Sequence, residues 1–282
     1  MESFIYTTDW HLSDYQPENR LGDIVEDAFN KVEQIFQIAS QKKCPIVHGG
    51  DIFDNETPSY CLTNRLIQLI KKYGVTIYTL LGNHDLRGLN KEFADTTIFT
   101  LIHSEVIKKL DSLEFPNIVF KGIDYTKSLN VNEFLFEETP KFKVLATHLP
   151  IVTKKVPFPH LLTSEIKTNA SLVLCGHIHS PFCIKHDNTW FINSGVVVRR
   201  RIDEKDIRPK VVHITPKGFE DIYLSEPSKD IFKIREEKSS FLLLPQEEEK
   251  AFDIFQKIDS YKVDEVVKTE CKRRLTEVTY GH

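Results

Sequence analysis

The sequence predicts an α/β fold in which two packed mixed β-sheets are flanked by helices, with a small helical segment at the C-terminal end. Strand and helix patterns alternate over residues 3–81, which indicates parallel strands joined by crossover helices. The strand patterns after residue 118 follow one another without long helices between them. We therefore expect a second sheet that packs on the first.

The alternating part begins with a short buried strand, and its helices carry apolar residues at helical spacing. The third strand is β-branched, aromatic and apolar, and it ends at Gly82. These elements are expected as strands at 3–8, 46–47 and 75–81 and as helices at 23–41 and 62–72, the second helix ending before Gly74.

Further strands are expected at residues 118–120, 143–147, 172–175, 189–193 and 210–214, with one short helix at 161–168. The pattern changes after about residue 225. Apolar residues recur at helical spacing over 246–258 and 263–278, which indicates two amphipathic helices. We therefore divide the chain into a domain at residues 1–225 and a helical segment at 226–282, which covers the domain or docks a partner.

Composition and charge are those of an ordinary globular protein. The 282 residues are 40% hydrophobic and 28% charged, with a formal net charge of −4. We see no secretory signal and no apolar stretch long enough for a membrane span. The five cysteines include no Cys-x-x-Cys pair, which favours reduced thiols in a cytoplasmic protein. A nucleic-acid partner would have to be held by local basic groups or by metal ions.

Five short polar motifs lie where predicted strands end. In open α/β sheets, the loops that follow the strands gather around a ligand. Each motif alone is weak evidence, because polar residues at strand ends often only form turns or hydrogen bonds. Their coincidence in five places indicates one shared site. The motifs are Asp9-Trp10-His11, Gly50-Asp51-Ile52-Phe53-Asp54, Gly82-Asn83-His84-Asp85, Thr147-His148 and Gly176-His177-Ile178-His179.

The motifs offer carboxylate, imidazole and amide ligands without a thiolate. These candidate metal ligands are Asp9, His11, Asp51, Asn83, His148, His177 and His179. Mixed nitrogen and oxygen ligands without a thiolate suit Mn, Fe or Zn better than Ca or Mg. Seven ligands exceed the needs of one ion and suit two divalent ions that share a carboxylate. Two such ions carry more positive charge than two aspartates neutralise, so the site would attract and polarise a phosphate ester.

The ordered motifs resemble the calcineurin-like metallophosphoesterase superfamily over residues 8–179. Over residues 1–90 the chain is more narrowly similar to the SbcD-type nuclease, the DNA-cutting partner of an SbcC-type ATPase. The narrower likeness rests on Thr8-Asp9-Trp10-His11-Leu12, on Gly50-Asp51-Ile52-Phe53-Asp54 followed by Pro58-Ser59-Tyr60 and Asn64-Arg65, and on Gly82-Asn83-His84-Asp85. The C-terminal segment is smaller than the capping domain and partner-binding tail that such nucleases usually carry.

The resemblance implies a role for each matching residue. One metal is bound by Asp9, His11 and His179, the other by Asn83, His148 and His177, and Asp51 bridges them. It also implies that His84 protonates the leaving oxygen or otherwise stabilises charge on it. The carboxylate of Asp54 would orient the His84 ring. The alternative for Asp54 is a turn-forming aspartate at a helix start.

The same resemblance implies a Mn-dependent DNA exo- or endonuclease that acts in DNA repair, recombination or processing with an SbcC-like ATPase. Many such nucleases are dimers, so a homodimer is a further expectation. Two alternatives stay open: a nucleotide or small-molecule phosphodiesterase, and a non-catalytic scaffold on the same fold.

Basic residues after two of the motif loops are candidate phosphate contacts, or they lie on solvated loops. They are Lys154, Lys155, Arg199, Arg200 and Arg201. Trp10 lies between two predicted ligands. It could stack on a base, but packing beneath the metal site is the favoured interpretation.

Overall fold

The computed structural model describes residues 2–89, 94–127, 131–225 and 231–233. Its helices are α1 (Ile24–Lys42), α2 (Tyr60–Tyr73) and α3 (Thr97–His103). Its strands are β1 (Phe4–Thr7), β2 (Ile46–His48), β3 (Ile77–Thr79), β4 (Lys108–Lys109), β5 (Ser112–Glu114), β6 (Ile118–Ile123), β7 (Phe142–Thr147), β8 (Ile151–Val152), β9 (Leu161–Leu162), β10 (Leu172–Cys175), β11 (Phe182–His186), β12 (Thr189–Asn193), β13 (Lys210–Thr215) and β14 (Gly218–Tyr223).

The strands form two six-stranded mixed sheets, which confirms the predicted fold class. The first sheet has the order β14-β13-β1-β2-β3-β4, and the second has the order β11-β12-β10-β7-β6-β5. In the first sheet β1 to β4 run parallel, while β13 and β14 are antiparallel to their neighbours. In the second sheet β6, β7, β10 and β12 run parallel, with antiparallel strands at both edges.

Apolar side chains form three layers around these sheets. Alternation along β1 shows the division, since Phe4 and Tyr6 join the core between the sheets while Ile5 joins the core beneath the helices. On the far side of the second sheet, Val173 and Phe191 belong to a third cluster. Strands buried on both faces are continuously apolar, and this explains why the sequence marks them clearly.

Helix ends are set by capping residues that the sequence displays. Asp23 caps α1, accepting hydrogen bonds from the backbone N–H groups of Val25 (2.9 Å) and Glu26 (3.0 Å). Ser59 caps α2, and Gly74 ends it with a left-handed φ of 61°, which glycine adopts without a Cβ clash. The two predicted helices are therefore confirmed, with α2 beginning two residues earlier than expected.

The predicted helix at 161–168 is wrong. Leu161 and Leu162 instead form β9, which pairs with β8. The N–H of Thr163 continues this pairing with the carbonyl of Val152 at 3.0 Å. Polar side chains then bind loop backbone in place of a helix, as when Thr168 donates its hydroxyl proton to the carbonyl of Phe134 at 2.6 Å.

The edge strands β4, β5, β11 and β14 and the short helix α3 were not predicted. The residues of these edge strands are exposed or half-buried, so the strands show no sustained apolar alternation. The described residues belong to one compact unit. The predicted helices at 246–258 and 263–278 lie outside the described residues, and the domain boundary at 225 stays a prediction.

Two further findings concern the described residues alone. None of their helices has the length and apolar character that crossing a bilayer requires. Their cysteines, Cys44, Cys61, Cys175 and Cys183, are free thiols.

Candidate metal centre

The five motifs meet at the seam between the two sheets. Asp9 follows β1, Asp51 follows β2 and Asn83 follows β3, all in the first sheet, whereas His148 follows β7 and His177 follows β10 in the second. Because the parallel strands of each sheet end on the same side, both sheets deliver polar loops to one place. The structure thus brings together all seven predicted metal ligands, as well as His84 and Asp54.

The backbone of this site is strained where the side chains converge. Asp9, His11, Asp51 and His177 have φ angles of 52°, 45°, 59° and 73°, in the left-handed region that residues other than glycine rarely adopt. Each such residue costs on the order of 1–3 kcal/mol and persists only where its surroundings hold it. Hydrogen bonds between loops do so here, from Asp9 N to Gly50 O and from His11 N to Asp51 O, both 3.1 Å.

The first group of ligands consists of Asp9, His11 and His179, which offer atoms within 4.8 Å of one another. The Nε2 atoms of the two histidines face each other at 3.1 Å, and Asp9 Oδ1 lies 3.7 Å from Nε2 of His11. Among the described residues this buried Oδ1 atom has no hydrogen-bond partner. A buried carboxylate oxygen that is left unpaired but faces two imidazoles is suited to bind a cation.

The second group consists of Asp51, His148 and His177, with Asn83 beside them. Nε2 of His148 lies 3.1 Å from Asp51 Oδ2, and Nδ1 of His177 lies 2.8 Å from Asn83 Oδ1. Asp51 Oδ2 is also 3.8 Å from Nε2 of His11 in the first group. Asp51 therefore lies between the two groups, where a bridging ligand must lie.

The residues present fit two divalent ions. Both carboxylates are buried, and the donors around them are imidazole nitrogens and an amide oxygen. Divalent first-row metals accept this set, and a cation in each group would compensate the buried negative charge. A further grouping of His11, Asp54 and His84 shares His11 with the first.

Charge on the imidazoles stabilises the metal-free site. Burial opposes the charged form of His11, but the carboxylates of Asp54, Asp9 and Asp51 around its ring raise its pKa to about 10. Burial likewise opposes charge on His148, and Asp51 nevertheless raises its pKa to about 9. The same pairs overcome burial to hold the pKa of Asp9 and of Asp51 well below the usual range. The metal-free protein thus carries protons where cations are expected to bind.

Two motif glycines are required because ligand side chains approach their Cα atoms closely. A Cβ atom at Gly82 would overlap with the carboxylate of Asp51, and one at Gly50 would overlap with the ring of His148. Gly50 also has a φ of 104°, which disfavours any other residue.

His84 is held by the backbone of Asp54. Its Nδ1 atom lies 2.7 Å from the carbonyl oxygen of Asp54. A carbonyl only accepts hydrogen bonds, so Nδ1 carries a proton and Nε2 is left to meet a substrate. The expected carboxylate–imidazole pair is wrong in this respect, because the Asp54 carboxylate instead bonds to Arg200 and lies 3.4 Å from Nδ1 of His11.

Two acidic residues with no predicted role form hydrogen bonds that hold the metal ligands in place. Asp85 Oδ2 accepts hydrogen bonds from the N–H groups of Asp51 (3.0 Å) and Gly82 (2.8 Å). Glu204 accepts a 2.6 Å hydrogen bond from Nδ1 of His179. Asp85 belongs to a motif and could have been identified there. Glu204 lies 25 residues beyond His179, and no local pattern marks it.

Trp10 packs beneath the site, as favoured from the sequence. Its side chain is fully buried, packs edge-on against Phe36 and His48, and donates a 2.9 Å hydrogen bond to Thr7. A base cannot stack on this ring in the structure.

The five basic candidates differ in their accessibility. Lys154 and Lys155 are exposed, and Arg201 is partly exposed beside Asp203. Arg200 is bonded to Asp54 at the site. Arg199 is 8% exposed and donates a hydrogen bond to the carbonyl of Lys205, so its expected contact with a phosphate is not available in this structure.

Known proteins resemble this chain to different degrees. The model of a family described as calcineurin-like phosphoesterase matches residues 3–181, which contain all seven predicted ligands. One crystal structure shares 12% identity, with a TM-score of 0.50 over 79% of this chain and 99% of the other. A structure titled "Structural and Functional Characterization of a Novel Archaeal Phosphodiesterase" shares 15% identity, with a TM-score of 0.43 over the same shares. A search of curated proteins finds no significant match.

We predict that Gly82→Ala weakens metal binding. The added methyl group would displace the Asp51 carboxylate, and affinity should fall about tenfold or more, as for other changes that misplace a ligand. Isothermal titration with Mn²⁺ measures the change. Gly74→Ala is the control: its left-handed φ costs roughly 1–2 kcal/mol of stability, but it adds its methyl group in open space. Equal metal affinity in Gly82→Ala and wild type would contradict the prediction.

We also predict that metal binding at pH 7 releases protons. His11 and His148, with pKa values raised to about 10 and about 9, are protonated there and must lose a proton to bind a cation. Affinity should therefore rise as the pH increases from 7 towards 9. Calorimetry in buffers of different ionisation enthalpy counts the protons released. A binding enthalpy that does not depend on the buffer would show that metal binding does not remove protons from these imidazoles.

Proposed function

The chain belongs to the calcineurin-like phosphoesterase family, and we propose that it is a two-metal phosphodiesterase that cleaves DNA, as SbcD-type nucleases do. One observation carries the proposal: two groups of metal-binding side chains share the buried Asp51, and His84 stands beside them outside both. A paired metal site of this kind suits hydrolysis of a phosphodiester. The donors combine nitrogen and oxygen without thiolate, which suits Mn, Fe or Zn, and we propose Mn²⁺ among these on the strength of the likeness to SbcD-type nucleases.

Two bound divalent ions would supply an activated water and neutralise charge on the phosphate oxygens. The remaining steps fall to the protein's own groups. Asp51 spans both ligand groups, and a hydrogen bond of 2.9 Å from the N–H of His84 to Asp51 Oδ1 fixes His84 relative to them. The Asp54 carbonyl accepts a hydrogen bond from Nδ1 of the ring. Nε2 is therefore the ring nitrogen that can face the substrate.

The proposed reaction is an in-line displacement. The oxygen of water forms a bond to phosphorus and releases a proton to solvent, while the bond from phosphorus to the leaving oxygen breaks. His84 acts in its doubly protonated form: the leaving oxygen takes the proton from Nε2, Nδ1 keeps its own proton, and Nε2 regains a proton from solvent. General acid catalysis of this kind contributes about 10²–10⁴-fold to a rate.

Exposed residues on the chain segments that follow two of the motifs support DNA as the substrate. Lys154 and Lys155 are exposed on the chain that follows His148, where they can neutralise phosphates. Tyr60, in the stretch that carries the likeness to SbcD-type nucleases, is 89% exposed and presents a ring on which a base can stack. We further propose an SbcC-like ATPase partner and a homodimer, both on the strength of the same likeness.

We predict that His84→Ala abolishes cleavage while leaving metal binding intact, since His84 lies outside both ligand groups. The rate constant kcat should fall by about 10²–10⁴-fold. Asp51→Ala should lose both cleavage and metal. Cleavage of end-labelled DNA with Mn²⁺, with metal analysis of each purified variant, measures these effects. Full activity of either variant, folded as judged by circular dichroism, would refute the mechanism.

We predict that Tyr60→Ala weakens DNA cleavage but not hydrolysis of a small chromogenic phosphodiester. Loss of one stacked base costs about 1–3 kcal/mol, so KM for single-stranded DNA should rise by about 5- to 100-fold. Phe219→Ala is the matched control. The ring of Phe219 is also exposed. Phe219 pairs with Ile214, and Ile214 pairs with Phe4 at the start of β1. Phe219 therefore lies at the end of the sheet opposite to Asp9.

The same two assays separate DNA cleavage from its alternatives. A wild-type protein that hydrolyses the small diester but leaves single- and double-stranded DNA intact is a nucleotide or small-molecule phosphodiesterase. A purified protein that binds no transition metal and hydrolyses neither substrate is a scaffold.

A further inference from the structure

We propose that Glu204 is a positioning residue that makes the metal site of Asp9, His11 and His179 the tighter of the two. The inference rests on the two-metal centre proposed above and assigns its two sites different affinities. Glu204 belongs to none of the sequence motifs, and it is buried, with an exposure of 2%.

The first observation is the contact between Glu204 and His179. Oε1 of Glu204 lies 2.6 Å from Nδ1 of the ring, whose Nε2 faces Nε2 of His11 at 3.1 Å. A carboxylate that accepts from Nδ1 keeps the proton on that nitrogen and leaves the Nε2 lone pair for a metal. Glu204 thus selects both the tautomer and the direction in which His179 offers its ligand atom.

The second observation is that Glu204 is itself fixed. Its other oxygen, Oε2, accepts hydrogen bonds from the backbone N–H groups of Arg200 (2.6 Å) and Arg201 (3.0 Å). These bonds close the short 3₁₀ turn at Ile202–Glu204. Because the turn already holds the carboxylate in place, little rotational freedom remains to be lost when the metal binds.

The third observation is an asymmetry between the sites. In the first group a second carboxylate, that of Asp54, faces Nδ1 of His11 at 3.4 Å. In the second group the Nδ1 atom of His148 faces a neutral acceptor, the carbonyl of Gly49, at 2.6 Å. A negative charge behind a ligating imidazole increases its basicity and attracts the cation directly, whereas a carbonyl provides orientation alone.

One segment connects both supporting carboxylates. The backbone of Arg200 and Arg201 binds Glu204, and the side chain of Arg200 binds Asp54. The loop after β12, which contains no metal ligand, therefore positions both histidines of the first site.

The test is a titration of the metal-free full-length protein with Mn²⁺, followed by calorimetry and by the electron paramagnetic resonance of free Mn²⁺. We expect wild type to bind two ions in two steps. Glu204→Gln keeps the size of the side chain and removes its charge, so the tighter step should weaken by about 10- to 100-fold while the weaker step is unchanged. Glu114→Gln is the control, because it makes the same change of charge at an exposed carboxylate in β5 whose partner is Lys141.

A double-mutant cycle with His179→Asn separates positioning from a general structural role. If Glu204 acts through His179, adding Glu204→Gln to His179→Asn should not weaken Mn²⁺ binding further. Should Glu204→Gln fail to fold, Glu204→Asp keeps the charge at a shorter reach and should weaken the same step by a smaller factor.

Three outcomes overturn the inference: an unchanged tighter step in Glu204→Gln, equal weakening of both steps, or additive losses in the double variant. Wild type that binds two Mn²⁺ ions but leaves DNA intact contradicts the proposed DNA substrate and leaves the role of Glu204 standing. Wild type that binds fewer than two ions overturns both the two-metal centre and the inference that rests on it.

Discussion

The arrangement of the rest of this site depends on two buried carboxylates. Asp9 and Asp51 lie within a cluster of imidazoles at the seam of two sheets, and both are almost completely shielded from solvent. A buried charge is costly unless it is paired, so the surroundings must supply compensating positive charge. In the metal-free chain, protonated histidines supply it, and a divalent ion in each group would do so more completely.

The need to bring these groups together explains local features that would otherwise destabilise the protein. The left-handed backbone of Asp9, His11, Asp51 and His177 turns side chains inward from loops that leave the sheets in the same direction. Gly82 leaves room for the Asp51 carboxylate to approach the backbone. Strain and close approach therefore accumulate at the place where the chemistry is proposed, and hydrogen bonds between loops hold that arrangement.

Reactivity and substrate choice have different physical origins in this protein. The metal centre and His84 are enclosed by strands and by buried supporting groups, and they account for hydrolysis of a phosphoester in general terms. Substrate choice has a separate origin, and the exposed Lys154, Lys155 and Tyr60 are the contacts proposed for it. Membership of the calcineurin-like phosphoesterase family describes the first of these and leaves the second to experiment.

The sequence alone determined the central strands of both sheets, the two main helices and the identity of the clustered polar residues. Buried parallel strands are continuously apolar, and each motif follows one of them, so local patterns suffice. Only the tertiary structure decided the supporting contacts. Glu204 meets His179 across 25 residues, and Asp54 holds His84 through its carbonyl while its carboxylate turns to Arg200. Such contacts depend on the paths of loops and the directions of side chains, and the spacing of residues along the sequence does not encode either. The helix expected at 161–168 was wrong for the same reason, since pairing with β8 overrode local preference.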